Sequence, residues 1–257
     1  MTFDASKIRY RTSVHHVELH ECLASTSDLA GNLVEDLIRL SPALVLTPQQ
    51  TGGRGRGHNS WWAETGALTF TLVLRASDLA LPPERQAMIS LAAGCAVRRV
   101  LSRHLTGPVL IKWPNDLLVG RQKISGILTE QRSVPSDAAI LIGIGINVNN
   151  SLSAAPLEVR RLATSLFDQT GTSVCLNDLL IDILNAIDAD TARLESEPDD
   201  LLAELNSYHA LQGQLIELET GGSSSTGICE GVSSSGELQL RMDTGIVNFR
   251  SGSVVRW

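Results

Sequence analysis

The sequence predicts an α+β fold with a larger domain over residues 1–209 and a small β-barrel-like domain over residues 210–257. Two observations indicate this organisation. Up to about residue 209, apolar strand-like runs are mixed with segments of helical periodicity. From Leu211 onward, about five short segments with alternating apolar residues are separated by Gly and Ser turns, which is typical of a small β-barrel.

The composition excludes several classes of protein. The chain has 257 residues, 43% of them apolar and 19% charged, with neither an apolar signal core nor a run long enough to span a membrane. A net charge of -7 argues against bulk electrostatic binding to nucleic acid. The cysteines lie far apart and form no C-x-x-C pair, which argues against disulfides and zinc and fits a reducing compartment. We therefore expect a cytoplasmic protein.

Apolar periodicity gives the order of the elements. Leucines at helical spacing predict a first helix, which a hydroxyl of Ser25 or Thr26 could cap. The predicted elements are, in chain order, a strand over Val14–Leu23, a helix over Asp28–Leu40, strands over Ala43–Leu46 and Ala67–Leu74, a helix over Glu84–His104, a strand over Val109–Asp116 that enters a turn at Pro114 and Asn115, a hairpin turning at Gly120–Gln122, a central strand over Ala138–Val148, a helix over Asn177–Leu194 and a loop over residues 221–227.

The most informative stretch is QQTGGRGRGHNSWW, Gln49–Trp62, hereafter the glycine loop. Its glycines permit positive φ and a close approach to a ligand, and Arg54 and Arg56 add two permanent cations, so the loop suits an enclosed anion. It is neither a P-loop nor a dinucleotide fingerprint, because no G-x-x-x-x-G-K-[ST] is present and a strand rather than a helix follows it. Composition alone also allows a flexible, solvated connector.

Two further features interrupt apolar strands. Lys112 and Lys123 flank the hairpin that follows KWPND, and each is either an edge residue whose charge reaches solvent or a charge directed into a site. Gly143 and Gly145 lie on one face of the predicted central strand, where missing side chains would let a flat ligand approach, and alternation places Asn147 on the same face. The alternative is a barrel-like bend that requires glycine.

His15, His16 and His20 are predicted to be exposed strand histidines. Alternation along a strand places His15 and His16 on opposite faces, and no carboxylate or cysteine pattern completes a ligand set. The sequence therefore assigns no metal-ligating residues.

Four motifs occur together: GGRGRG followed by tryptophan, KWPNDLLV, KISGILTE and GIGINVN. Their order and spacing resemble the biotin–protein ligase family from about Val14 to the C-terminus. The most specific part is KWPND, whose lysine is followed eleven residues later by K-I-S-G-I-L. The resemblance implies a mixed-sheet biotin/lipoate ligase-like catalytic domain with an SH3-like β-barrel as the C-terminal domain.

The resemblance also implies an activity, that of a biotin–[biotin carboxyl-carrier protein] ligase. Such enzymes form biotinyl-5'-AMP from biotin and ATP, release pyrophosphate, and transfer biotin to one lysine of the carrier domain of a biotin-dependent carboxylase. ATP and Mg²⁺ are implied as co-substrate and its metal. Because the sequence begins almost directly at the catalytic motifs, we expect the monofunctional type without an N-terminal DNA-binding domain. A homodimer formed through a sheet edge is also compatible with the family.

The resemblance assigns roles to individual residues. Fixed cations are required because the biotin carboxylate and the α-phosphate repel each other. The residues implied in catalysis are Lys123 and Arg56 at the carboxylate and ester phosphate, Lys112 on the phosphate side and Asp116 at the incoming lysine amine. Those implied in biotin binding are Ser25, Thr26, Ser27, Gln50, Arg54, Gly55, Arg56 and Lys123. Those implied in ATP binding are Trp61 over the adenine, and Asn115 and Asn147 as polar partners of nucleotide or metal.

Two positions depart from the family pattern. The commoner loop reads G-R-G-R-x-G-R-x-W, and Asn59 replaces the later arginine here. Either His58 or Lys112 takes over its role toward the phosphates, or nucleotide affinity is lower. Ser27 stands where asparagine is common, a change that keeps a hydrogen-bonding side chain.

Two rival functions share much of this pattern. A lipoate–protein ligase or octanoyltransferase would keep the fold and the target lysine but bind a fatty or dithiolane acid. A non-catalytic protein would sense biotin or dock on the carboxylase. KWPND with the glycine loop favours biotin. A cation cluster beside the Asp116 carboxylate favours catalysis, because a pure binding protein would not need one.

Overall fold

The computed structural model describes residues 3–57, 59–79, 81–82, 85, 88–135 and 137–257. Its strands are β1 (His16–Leu19), β2 (Ala43–Thr47), β3 (Gly53–Arg54), β4 (Ser60–Trp61), β5 (Leu68–Arg75), β6 (Val109–Lys112), β7 (Asp116–Val119), β8 (Gln122–Val134), β9 (Asp137–Ile146), β10 (Leu215–Thr220), β11 (Ser223–Val232), β12 (Leu238–Met242), β13 (Gly245–Phe249) and β14 (Ser253–Arg256). Its helices are α1 (Ala5–Arg11), α2 (Thr26–Asn32), α3 (Val34–Leu37), α4 (Met88–Leu101), α5 (Leu157–Leu162), α6 (Leu166–Thr170), α7 (Leu176–Ser196) and α8 (Pro198–Ser207). The predicted α+β class is confirmed.

A seven-stranded mixed sheet organises the first part of the chain. Its strand order is β1-β2-β5-β9-β8-β7-β6, with β1 and β2 parallel and the other neighbours antiparallel. The apolar run AILIGIGI lies in β9 at the centre, paired with β5 on one side and β8 on the other. A strand covered on both faces needs apolar residues on both, so the predicted central strand is confirmed.

Helices cover both faces of this sheet. Alternation along β2 places Leu44 and Leu46 in the larger apolar cluster, which includes α4 and α7, whereas Ala43 and Val45 join a smaller cluster with α2 and α3. The buried face of α7 packs mainly on α4, and the stripe that predicts a helix at Asn177–Leu194 is confirmed. Among the helices described here, none has the length and apolarity of a membrane span.

The first predicted helix is divided in the structure. α2 ends before Leu33, whose backbone leaves the helical region, and α3 and a short 3-10 turn follow over residues 34–40. Gly31 and Asn32 lower the helix propensity at the break, although the leucine spacing continues through it. The predicted single helix over Asp28–Leu40 is therefore wrong in that respect.

The ends of two other elements differ from the prediction. β1 covers four residues of the predicted Val14–Leu23, because only these four pair with β2. Glu84, the predicted start of α4, lies outside the described residues, and within them the helix runs over Met88–Leu101. Strand ends of this kind depend on the neighbouring strand and carry little local signal.

A separate antiparallel sheet with the order β13-β12-β11-β10-β14 follows α8. The prediction of about five short strands is confirmed. Within this fully described segment the end strands β13 and β14 do not pair, so the hydrogen bonding does not close into a barrel. The predicted loop over residues 221–227 is wrong. The only turn within these seven residues is at Gly221 and Gly222, which both have positive φ as a tight hairpin requires. Ser223 already begins β11.

A buried ion network joins α4, α7 and α8. Asp190 of α7 is fully buried, and its carboxylate pairs with Arg99 and with Arg193 at 3.0 Å each. Glu204 of α8 pairs with Arg98, Arg99 and Arg193, at 3.0, 3.0 and 2.8 Å. Each buried charge in the network has a partner, which is the condition under which a protein interior tolerates ions.

His209 lies buried where the chain passes from α8 toward the second sheet, with 6% of its surface exposed. Its Nδ1 is 3.8 Å from Cys229 Sγ, and its Nε2 has no hydrogen-bond partner among the described residues. Burial disfavours the charged imidazolium and lowers the pKa of His209 to about 4.

We expect His209 to make the protein less stable in mild acid. The unfolded chain binds a proton at this imidazole near its ordinary pKa of 6.5, whereas the folded chain binds it only at about pH 4. Acidification between these two pH values therefore favours unfolding. Above pH 6.5 the neutral imidazole stabilises the folded state in full. Below the folded pKa, the free energy of unfolding is lower by about 3 kcal/mol. Urea unfolding at about pH 7.5 and about pH 4.5 measures the loss. His209→Phe should lose less stability over the same range, and an equal loss in the variant would contradict this origin.

Candidate active site

A cavity of about 810 Å³ opens on one face of the seven-stranded sheet. It lies between the sheet, the glycine loop and two loops of the C-terminal sheet. The predicted site residues that line it are Ser25, Thr26, Ser27, Gln50, Arg54, Gly55, Arg56, Trp61, Lys112, Asn115, Asp116 and Lys123. Asn147 is the one member of the predicted set that does not line it. The roles of these residues stay predictions, but the fold brings nearly all of them to one place.

Hydroxyl groups and an amide form a polar part of the cavity wall. Gln50 Oε1 accepts hydrogen bonds from the Thr26 main-chain N–H and hydroxyl, at 2.9 and 3.3 Å. Ser27 Oγ lies 3.1 Å from Thr71 Oγ1, which donates to Thr26 Oγ1 at 3.0 Å. Several neutral donors and acceptors are thus close together, which suits an uncharged polar group of a ligand.

The polar wall includes residues that the sequence interpretation missed. Thr69 lines the cavity and Thr71 holds Ser27, yet neither was predicted. Their signal was present in LTFTLVLR, where two threonines on one face interrupt a buried apolar strand. Ser25 also has the predicted capping role, because its side chain accepts from the Asp28 N–H at 3.2 Å.

Glycines in β9 let side chains approach the sheet closely. A Cβ added at Gly143 would lie 2.5 Å from Ser27 Oγ, and one at Gly145 would lie 2.4 Å from the Trp61 ring. Neither position could therefore carry a side chain without displacing its neighbour. The regular pairing of β9 with β5 and β8 is not that of a barrel-like bend. In this structure, the flat group lying on the glycine face is the indole of Trp61, which was predicted to cover adenine.

Three cations and one carboxylate form a second part of the wall. Lys123 Nζ pairs with Asp116 Oδ1 at 2.5 Å. Burial lowers the pKa of Lys112 and of Arg56, and the nearby Asp116 carboxylate partly offsets this in both cases. Within the described part of the chain, neither Lys112 nor Arg56 forms an ion pair. Lys112 and Lys123 both line the cavity, and the excess positive charge of this wall suits an anionic ligand.

The described part of the glycine loop forms a short hairpin over the cavity and is not the flexible connector that composition alone allows. Its strands β3 and β4 pair Gly53 with Trp61 and Arg54 with Ser60. Arg54 ties the loop to the sheet and to α2, through Nη2 to Glu130 Oε2 at 2.5 Å and through Nε to Asp28 Oδ1 at 2.6 Å. Asp28 and Glu130 are thus the carboxylates through which Arg54 would have its predicted role of ordering the loop.

The C-terminal sheet completes the wall with residues 219–221 and 251–254. Arg56 Nη1 donates a hydrogen bond to Gly252 O at 3.3 Å. A Cβ at Gly252 would lie 2.7 Å from Thr220 Oγ1 and 2.8 Å from Leu218 Cδ1, so this loop requires glycine. The contact joins residues 196 positions apart, and local sequence carries no signal for it.

Asn147 lies away from the cavity. It is 2% exposed, and its Oδ1 accepts a hydrogen bond from Asn150 Nδ2 at 3.0 Å. β9 ends at Ile146, so the alternation that placed this side chain on the face of Gly143 and Gly145 does not reach it. Asn115 does line the cavity, with its Nδ2 donating to Ile127 O at 2.9 Å.

The remaining predicted positions belong to the glycine loop and to the histidines near β1. His58 lies outside the described residues, whereas Asn59 lines the cavity. His16, on β1, has its Nε2 2.6 Å from Glu18 Oε1, and His20, just after β1, has its Nε2 3.6 Å from Glu18 Oε2. Across the described ranges, no group of three or more His, Cys, Asp or Glu residues is arranged to hold a metal ion.

The fold and the site together define a class of protein: an α+β domain whose central sheet carries a polar and cationic pocket beneath a glycine-rich loop. The model of the biotin/lipoate A/B protein ligase family matches residues 19–147, and the chain belongs to that family. The resemblance drawn from the four sequence motifs is therefore confirmed.

Curated relatives share part or most of the chain. A biotin--[acetyl-CoA-carboxylase] ligase of Paracoccus denitrificans is 32% identical over 82% of this chain and 90% of its own length. The enzyme of the same name from Mycobacterium tuberculosis is 29% identical over 82% of this chain and 78% of its own length. The bifunctional ligase/repressor BirA of Bacillus subtilis is 33% identical over 66% of this chain and 53% of its own length. The chain thus spans about half the length of that relative.

Solved structures share the fold. A biotin protein ligase from Aquifex aeolicus, solved with biotin and ATP, has a TM-score of 0.79 at 24% identity, covering 94% of this chain and 99% of the other. A biotin protein ligase from Leishmania major, solved with biotinyl-5-AMP, has a TM-score of 0.59 at 24% identity and covers 91% and 98%. Both similarities extend into the C-terminal sheet.

Proposed function

We propose that this protein is an ATP-dependent biotin–protein ligase. It would join biotin to AMP and transfer the biotinyl group to a lysine of a carboxyl carrier domain. One observation carries the proposal: a neutral hydrogen-bonding wall and a cationic wall lie in a single cavity beneath one loop. Biotin has the matching chemistry, with a neutral ureido ring at one end and a carboxylate at the other. The names of the relatives from Paracoccus and Mycobacterium support the same activity.

The polar wall would bind the ureido ring. Thr26, Ser27 and Gln50 already form a connected set of hydrogen bonds, so their positions are fixed before a ligand arrives. A urea pairs with donors and acceptors at both ends, and an acid without it leaves buried polar groups unpaired. This is the basis on which the site would prefer biotin to lipoate or octanoate.

The cationic wall would serve the first chemical step. The carboxylate of biotin and the α-phosphate of ATP are both anionic, so their approach requires positive charge that is already in place. Lys123 would lie at the carboxylate and the new anhydride, Arg56 at the ester phosphate and Lys112 on the phosphate side. Their partial burial strengthens each interaction relative to water.

Mg²⁺ is expected to enter with ATP. It prefers oxygen ligands, and with nucleotides the phosphates supply most of them and the protein one or two. Asp116 and Asn115 line the cavity and carry suitable oxygens, whereas the oxygen of Asn147 is engaged with Asn150. When bound, the ion would neutralise phosphate charge.

The second step would transfer the biotinyl group from AMP to a lysine amine, so that an amide bond forms, the anhydride bond breaks and AMP leaves. Asp116 lies beside Lys123 in the cationic wall, so it would orient this amine and accept its proton. Its pairing with Lys123 implies that both steps use one charge cluster. Because two relatives are named for acetyl-CoA carboxylase, we propose that the acceptor is a carboxylase carrier domain.

The test is pyrophosphate release from Mg-ATP by the purified protein without an acceptor, with biotin, lipoate or octanoate added in turn. We expect release with biotin alone. Release with lipoate or octanoate alone would contradict the proposed substrate, and binding of biotin without release would indicate a biotin-sensing protein. The Lys7→Gln variant is a suitable control, because its ion pair with Asp178 at 2.6 Å is exposed and lies outside the cavity.

A further inference from the structure

A tryptophan of the C-terminal segment lies against the cationic wall from outside the cavity. Trp257 follows β14, and two cations lie over its ring. The guanidinium carbon of Arg121 is 4.3 Å from the ring centroid, and Lys112 Nζ is 5.5 Å from it. Arg121 Nη2 also donates a hydrogen bond to the main-chain oxygen of Trp257. Three parts of the chain thus meet at one indole: the end of β6, the β7–β8 turn and the end of the C-terminal sheet.

Lys112 is a residue that needs such support. It ends an edge strand, its side chain is long and flexible, and within the described ranges it has no ion-pair partner. Burial lowers its pKa, the nearby Asp116 carboxylate partly offsets this, and the positive charges of Lys123 and Arg121 lower the pKa further. A flexible, partly buried ammonium group beside other cations would otherwise turn away from the cavity toward water.

An aromatic ring offsets this repulsion. The face of an indole carries negative partial charge and attracts cations, so one ring can hold two of them near each other. Trp257 is the aromatic residue in contact with both Lys112 and Arg121, and Arg121 fastens the Trp257 main chain. The Lys112 ammonium is thereby held at the cavity wall.

We infer that Trp257 is a positioning residue for the phosphate end of the nucleotide. It acts by holding Lys112 in the cavity wall, so the C-terminal sheet contributes to nucleotide binding through this contact as well as through its lining loops. The inference rests on the proposed function, in which Lys112 faces the phosphates of ATP. Beyond the proposed function, Trp257 supplies the aromatic ring that holds Lys112. Nucleotide binding therefore depends on Trp257, whereas biotin binding does not.

The experiment compares Trp257→Leu, which removes the ring, with Trp257→Phe, which keeps one. Val255→Ala is the matched control on β14, the strand that Trp257 follows, because Val255 is 50% exposed and does not line the cavity. The measurements are KM for ATP and for biotin in pyrophosphate release, the Kd for Mg-ATP by calorimetry, and Tm. For Trp257→Leu we expect KM and Kd for ATP to rise roughly five- to tenfold and the biotin KM to stay nearly unchanged, with only a small fall in Tm because leucine keeps part of the apolar contact of Trp257 with the larger cluster. Trp257→Phe should recover most of the ATP affinity, and Val255→Ala should match wild type.

Three results would overturn the inference: an unchanged ATP affinity in Trp257→Leu, equal losses for ATP and biotin, or no recovery with phenylalanine. Equal losses accompanied by a lower Tm would assign Trp257 a structural role instead. A wild type that binds Mg-ATP but releases no pyrophosphate would refute the proposed function. The calorimetric comparison of the two variants would still decide the role of Trp257.

Discussion

Lys123→Gln is expected to lower kcat/KM for biotin-dependent pyrophosphate release by about 10²–10³-fold. The substitution keeps a polar side chain but removes the cation closest to Asp116, at 2.5 Å. The two reacting anions would then meet with less compensating charge, and Asp116 would add repulsion. The loss should fall mainly on kcat/KM for biotin and on kcat, since Lys112 and Arg56 would still face the nucleotide in the proposed arrangement.

Lys7→Gln controls for the loss of a lysine–aspartate pair as such. The Lys7–Asp178 pair has a similar length, 2.6 Å, but both side chains are exposed and lie outside the cavity. We expect wild-type rates from it. If Lys123→Gln retained more than about a tenth of the wild-type kcat/KM, Lys123 would not be the cation at the reacting centre.

The features that the sequence predicted well are those with a local signal. β9 is recognisable because it is covered on both faces, and Gly143 and Gly145 stand out within it as positions without side chains. The glycine loop and KWPND are likewise contiguous, and the fold brings their residues to one cavity. Alternation of side chains between the two faces of a sheet holds only within a strand. The predicted orientation of Asn147 was therefore wrong, because this residue lies one position beyond the end of β9.

The features that the sequence could not predict depend on pairs distant along the chain. Arg54 contacts Glu130, and Arg56 contacts Gly252 of the other sheet. In the sequence, a strand glutamate or a loop glycine looks the same whether or not an arginine reaches it. Trp257 is a similar case, because a terminal tryptophan has no periodicity that could reveal its contact with Lys112. Such contacts follow from how the glycine loop and the two sheets pack together, and they become visible only in three dimensions.

In the proposed reaction, Arg56→Gly is expected to release the biotinyl-AMP intermediate before transfer. Arg56 is half-buried in the cavity wall, has no ion-pair partner among the described residues, and joins the glycine loop to Gly252 O at 3.3 Å. Its removal would delete a charge-assisted contact to the phosphate ester and also the link that holds the loop against the C-terminal sheet. The intermediate should be retained about 10–100-fold less tightly, while adenylation continues. The escaped mixed anhydride would then acylate exposed amines without selection.

The measurement is biotin incorporation into a bystander protein that has lysines but no carrier domain, supplied with biotin and Mg-ATP. Arg56→Ala separates the lost guanidinium from added loop flexibility and should behave like Arg56→Gly. Arg56→Lys keeps a cation and should restore most of the retention. If Arg56→Gly and Arg56→Ala left the bystander as unlabelled as wild type does, while still releasing pyrophosphate, the intermediate would be retained by other groups. The closed hairpin of the loop, fastened by Arg54 to Asp28 and Glu130, would then be the next candidate.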